Sequence, residues 1–216
     1  MFYWLTLLLA IISFLLFPST NAIFMAVTKV HPYLLGFVKF AILATMGELL
    51  ALRIISGVWK KPVGLVYRAI IWGFLGMTFV LVFDLFARGV AGSVNAGLLP
   101  SFAGKLGPAF FTSALMNLIF GPTFMAFHRI TDTYIDLGEG NLGKICKIKL
   151  ADVVNKIDWH GFISFVVLKT VPFFWIPAHT ITFMLPPEYR VLAAAFLSIA
   201  LGGILAFAKK QSTTLN

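Results

Sequence analysis

Lys39, Glu48, Asp84 and Lys169 each fall inside, or at the end of, an apolar run that approaches membrane-spanning length. A charge at mid-bilayer costs about 2.5–3.5 kcal/mol on insertion scales, so such residues face a bundle interior or water and mark solute or ion paths. Asp84, like Arg53, stands close enough to a segment end to reach the interface by extending its side chain. Lys39 and Glu48 are more informative. They lie nine residues apart, which is roughly 900° of helix rotation and so opposite faces. Each therefore needs its own partner or a solvated cavity, and Lys169 is the candidate partner for Glu48. The chemistry open to these groups is interhelical pairing or the lining of a polar route.

A second group surrounds Pro177, in the run Trp175-Ile176-Pro177-Ala178-His179-Thr180-Ile181-Thr182-Phe183. Proline removes a backbone hydrogen bond and kinks its helix. His179, Thr180 and Thr182 then supply polar atoms where the backbone is already disturbed, either for packing or to line a cavity. In the last apolar segment Ala194, Ser198, Gly202 and Ala206 recur every four residues. A stripe of small residues lets membrane helices approach closely. Packing within one copy is the first expectation, and a homo-oligomer the second.

Other apparent motifs carry no chemistry in this context. Gly138-Glu139-Gly140-Asn141-Leu142-Gly143 satisfies GxGxxG but lies in a polar stretch with no preceding strand, so it is not a dinucleotide site. Asp132 and Asp136, four apart beside Arg129, read as a solvated helix end. His31, His128 and His160 are scattered without metal-ligand spacing. The single cysteine, Cys146, excludes an internal disulfide framework. No nucleophile–base arrangement is visible, and neither enzymatic activity nor a cofactor or metal is expected.

The elements that must position these residues follow from composition. Of 216 residues, 60% are hydrophobic and only 12% charged, against roughly 45–50% and about 25% in soluble domains. Mean hydropathy is +0.95. Crossing a hydrocarbon core of about 30 Å takes roughly 20 apolar residues in a helix, and helix is the default because lipid satisfies no backbone group. Six segments meet this description, at about 2–26, 33–56, 67–87, 108–128, 161–185 and 190–208. The expected fold is all-α, a polytopic transmembrane bundle of about six hydrophobic helices. Residues 1–28, free of charge, form a hydrophobic N-terminal helix, retained rather than cleaved as a signal peptide. Residues 29–216 form a single bundle with a Gly-, Ala- and Ser-rich loop at 88–107 and a polar loop at about 129–160.

Net charge is +9, and its distribution indicates topology rather than nucleic-acid binding. With six spans, one side collects eleven Lys and Arg, including Lys60, Lys61, Arg68, Lys144 and Lys147, and the other side four. This asymmetry places both termini in the cytoplasm or its equivalent. The expected partners are the lipid bilayer and small solutes or ions.

Two stretches resemble the Mpv-seventeen/peroxisomal-membrane-protein family of small multi-span proteins. That family opens a helix on Tyr-Pro and closes it on Gly-Asp; here His31-Pro32 opens the segment and Gly47-Glu48 closes it. Its C-terminal Trp-Pro-x-x-Gln-x-x-Asn-Phe run is matched in spacing from Trp175 to Phe183. His179 stands where the Gln falls, Thr182 where the Asn falls, and Pro186-Pro187-Glu188-Tyr189-Arg190 follows. Glu replaces Asp at 48, and Pro177 is displaced by one residue. The resemblance implies a four-span core from about residue 31, the N-terminal helix being an addition. It also implies a weakly selective channel for small solutes or ions, with a non-conducting organisational or lipid- or partner-binding role as the alternative. The expected location is a prokaryotic cytoplasmic membrane, the alternatives a mitochondrial inner or a peroxisomal membrane.

Overall fold

The computed structural model describes the backbone of residues 2–214 and the side chains of residues 2–204. Every regular element among the described residues is helical. In chain order these are α1 (Phe2–Leu16), α2 (Pro18–Val30), α3 (Pro32–Ser56), α4 (Leu65–Asn95), α5 (Leu106–Leu137), the short α6 (Leu142–Ile145) and α7 (Leu150–Lys156), α8 (Trp159–Gly161), a π-helical stretch (Phe162–Trp175), α9 (Ile176–Met184) and α10 (Pro187–Thr214). From α8 to α9 the chain runs as one helix, Trp159–Met184. Five helices are long and apolar enough to cross a membrane, and six if α1 and α2 together count as one span.

The N-terminal segment is not the single helix expected for residues 1–28. It bends by 87° between α1 and α2, because Pro18 has no N–H to give and its ring displaces the carbonyl one turn back. The carbonyls freed at the bend are taken by side chains: Thr20 Oγ1 donates to Phe14 O and Phe17 O, and Asn21 Nδ2 donates to Leu15 O at 2.8 Å. Tyr189 Oη on α10 donates to Asn21 Oδ1 at 2.8 Å, so the bend is tied to the last helix. The Phe14 and Leu15 carbonyls at the break are thus satisfied without water, as an apolar setting favours.

Two connections differ from the expected loops. Residues 88–95 continue α4, whose Arg88 reaches back to Asp84 at 2.7 Å over one turn. Residues 129–137 continue α5, so the polar segment starts a good two turns later than residue 129. At about 1.5 Å per residue a 32-residue helix is about 48 Å long; its last turns therefore extend past a hydrocarbon core of about 30 Å. Gly140, at φ +66, closes the turn after α5, and a side chain there would meet the backbone of Gly64 ahead of α4. The α3–α4 connection and the segment after α5 therefore share one end of the bundle.

Small residues set the closest helix approaches. A Cβ on Gly76 of α4 would overlap the carbonyl oxygen of Gly36 on α3. Gly47 of α3 faces the Ser198 carbonyl of α10, and Gly202 of α10 faces the Gly47 carbonyl, both at 2.9 Å from an added Cβ. Ala194 is buried in the core, and the Ser198 hydroxyl donates to its carbonyl at 3.4 Å. The stripe Ala194–Ser198–Gly202 thus lies against α3 of the same chain; Ala206 is outside the described side chains. Trp4 Nε1 donates to Met46 O at 3.0 Å, and the Trp4 and Trp59 rings are 6.4 Å apart. The start of α1 therefore lies at the end of the bundle where α3 finishes and meets Gly202.

Candidate functional site

The functional candidates gather around one cavity of about 290 Å³ lined by α3, α4, α5, the π-helical stretch, α9 and α10. Helix α5 carries the longest face of it. Asn117, Gly121, Phe124, His128 and Asp132 recur every three or four residues, which is one stripe of a helix.

At one end of the cavity Glu48 accepts from Trp72 Nε1 at 2.8 Å, and His128 Nε2 lies 3.4 Å from the same oxygen, Oε1. The other nitrogen of that ring, Nδ1, is 3.1 Å from Asp132 Oδ2. Arg68, on the first turn of α4, bonds Asp132 Oδ1 at 3.0 Å and Asp136 Oδ1 at 2.6 Å. The result is a continuous chain, Glu48–His128–Asp132–Arg68–Asp136, that runs from the cavity to the exposed Asp136. An Arg fork between two carboxylates one turn apart offsets the repulsion they would otherwise feel.

Glu48, His128 and Asp132 each offer a ligand atom within 4.8 Å of the others. Yet the two nitrogens of His128 face opposite carboxylates, and one oxygen of Asp132 is already held by Arg68. An ion on Nε2 with Glu48 would leave Asp132 across the ring, where it orients the imidazole rather than completing the shell. The arrangement is a hydrogen-bonded charge chain.

At the other end, His179 is 4% exposed. Its Nδ1 sits 3.1 Å from Asn117 Nδ2 and 3.2 Å from Asn117 Oδ1, and its ring stacks on Trp175 at 5.0 Å. Asn117 is itself held by Ser113 O at 2.8 Å, and Ser113 Oγ donates to Ile176 O at 2.7 Å. Nε2 of His179 and Nε1 of Trp175 are buried without a hydrogen-bond partner among the described residues. An unmade bond of this kind is costly and calls for a reason.

The structure brings together Glu48, Trp175, His179, Ala194, Ser198 and Gly202 on the cavity wall. Other candidates lie elsewhere. Lys39 is buried, but toward α2: its Nζ donates to Thr28 Oγ1 at 3.3 Å and lies 4.5 Å from the Phe24 ring centroid. Lys169 is exposed and is not the partner of Glu48; its place is filled by Trp72 and His128, which α4 and α5 bring to the same level. Thr180 and Thr182 return their hydroxyls to Ile176 O at 2.7 Å and Ala178 O at 3.0 Å. Their buried oxygens are used within the helix, the usual outcome for Thr in an apolar segment. Pro177 does not break its helix: it lies inside the continuous helix Trp159–Met184, just after the π-helical turns give way to α-helical ones, and Pro172 lies within the wider π-helical turns.

Asp132 is not the solvated helix end that its neighbours suggest. It faces inward because Arg68, 64 residues earlier, is drawn to the same level of the bundle. The sequence signal that points to it is the stripe His128, Asp132, Asp136 at four-residue spacing, continuing the apolar face of α5.

Comparison of the chain with protein-family models, curated proteins and solved structures finds no match. Fold and site together define a class: an all-α, multi-pass membrane-protein bundle with a cavity between its helices that is acidic at one end.

Proposed function

We propose that this chain is a small integral membrane protein that admits small solutes or ions to the cavity between its helices and passes them across the bilayer, as a weakly selective pore or carrier. One observation carries the reading. Glu48 lines a cavity otherwise walled largely by apolar side chains, and both of its described partners lie on Oε1, so that Oε2 has none among the described residues. An intramembrane carboxylate so placed marks a solute path by default, and a few convergent polar groups in an apolar cavity are the usual make-up of a small-molecule site. The resemblance to the Mpv-seventeen/peroxisomal-membrane-protein family supports the same reading, and we extend it to a proposal of kinship. The charge asymmetry supports a cytoplasmic-type membrane with both termini on the positive side.

The test is reconstitution of the full chain in liposomes, with efflux of small cations and neutral solutes measured against empty liposomes. Flux above the empty control is expected, with cation flux falling about tenfold in Glu48→Gln. Efflux no faster than from empty liposomes sinks the transport reading and leaves a non-conducting, lipid- or partner-binding role.

A further inference from the structure

From the same cavity we infer that its ligand is an organic monocation with an apolar body, seated between the Glu48 carboxylate and an aromatic wall. The inference rests on reading the cavity as a solute site and goes beyond it in naming the chemistry of the solute.

The wall is a closed circuit of four rings that all line the cavity. Phe40 and Trp72 lie 6.2 Å apart, Trp72 and Phe124 6.3 Å, Phe124 and Phe79 4.7 Å, and Phe79 and Phe40 4.9 Å, centroid to centroid. Glu48 is pinned to its rim by the Trp72 indole N–H at 2.8 Å. Aromatic rings attract cations through their quadrupoles. A carboxylate at the edge of such a wall adds the counter-charge, in surroundings where charges are weakly screened.

The charge ledger around the cavity points the same way. Arg68 is occupied by Asp132 and Asp136. His128 is clamped between Glu48 and Asp132. Arg129 stands exposed at the rim. Glu48 and Asp132 are the acidic residues of the lining, and of their four carboxylate oxygens Oε2 of Glu48 is the one without a partner among the described residues. A bare metal ion would gain little from a wall of rings, whereas an ammonium or phosphonium with hydrocarbon substituents uses both wall and carboxylate. The cavity, about 290 Å³, lies at the lower edge of the roughly 300–1,000 Å³ typical of small-molecule sites. It suits a compact ligand.

The experiment is equilibrium binding of radiolabelled phenyltrimethylammonium, a compact cation matched to the cavity volume, to the purified full chain in detergent, with protein-free micelles subtracted. Benzenesulfonate, of similar shape and opposite charge, is the control. Saturable binding of the cation is expected at about one per chain, with the anion at least tenfold weaker. Glu48→Gln should lose at least tenfold in affinity for the cation, Glu48→Asp less, and Phe79→Leu a few-fold; Lys169→Ala, on the outer surface, should bind as the unaltered chain does. Equal binding of cation and anion by the unaltered chain overturns the inference without recourse to any variant, and so does full affinity in a folded Glu48→Gln. Charge-selective binding without liposome flux removes the transport reading and keeps this one; flux without charge-selective binding does the reverse.

Discussion

Arg68 holds two carboxylates that stand one turn apart on α5 and face the same guanidinium. Removing Arg68 takes a charged hydrogen-bond partner from Asp132, which keeps His128, and from the exposed Asp136, at a cost of about 1.5–3 kcal/mol. Arg68→Met should therefore lower the unfolding free energy in detergent by that order, and Arg68→Lys by less, because an ammonium cannot bridge both acids with a planar fork. Should Arg68→Met unfold like the unaltered chain, the Arg68–Asp132–Asp136 group contributes nothing to stability. The Asn117–His179 pair belongs to the same scale. Asn117→Leu takes the only described partner from His179 Nδ1, and a buried polar group left without its bond costs about 1–3 kcal/mol. A shift in the unfolding transition of that size is the expected outcome.

Among the elements, contacts between backbones decide. α3 packs on α4 through Gly36 and Gly76 and on α10 through Gly47 and Gly202. These contacts have no slack, because the opposing atoms are carbonyl oxygens rather than flexible side-chain ends. Gly76→Val should destabilise the bundle by at least the roughly 1–3 kcal/mol of an overpacked core, read as a lower unfolding temperature and loss of the monodisperse peak in size exclusion. Gly89→Ala and Gly92→Ala, also in α4 but with nothing within 4 Å of an added Cβ, should be neutral or gain about 0.5–1 kcal/mol from helix propensity. The bent N-terminal pair is tied at Asn21, which serves both the Leu15 carbonyl and the Tyr189 hydroxyl. Asn21→Ala should increase proteolysis or hydrogen exchange in residues 2–16; unchanged protection there would mean that apolar packing alone holds α1.

For the whole molecule, topology is the open quantity, and the chain carries its own probe. Cys146 is exposed and is the only cysteine. It lies at the end of the bundle that also holds the α3–α4 connection with Lys60 and Lys61. A membrane-impermeant maleimide should therefore modify Cys146 from the cytoplasmic face. In a Cys146→Ser background, Ser101→Cys, in the α4–α5 connection, should react from the opposite face. Modification of both positions from one side would overturn the six-span arrangement.

Membrane embedding and helical class were legible in the chain because they depend on sums: the apolar fraction, the run lengths and the near absence of charge. Glu48 and His179 stood out for the same reason, as polar groups whose cost demands a partner. The partners themselves were not legible. Trp72 and His128 reach Glu48 from 24 and 80 residues away, and Asn117 reaches His179 from 62. Lys39 turned to Thr28 and Phe24 rather than to the cavity. Periodicity assigns a residue to a face of its own helix, but which helix covers that face follows from the glycine contacts of α3 with α4 and α10. Composition therefore determined that this chain is a helical membrane bundle with a few expensive polar groups inside. Tertiary packing alone decided that Glu48, rather than Lys39 or Lys169, lines the cavity, because two neighbouring helices bring Trp72 and His128 to one of its oxygens, while Lys39 is drawn to α2 and Lys169 lies exposed.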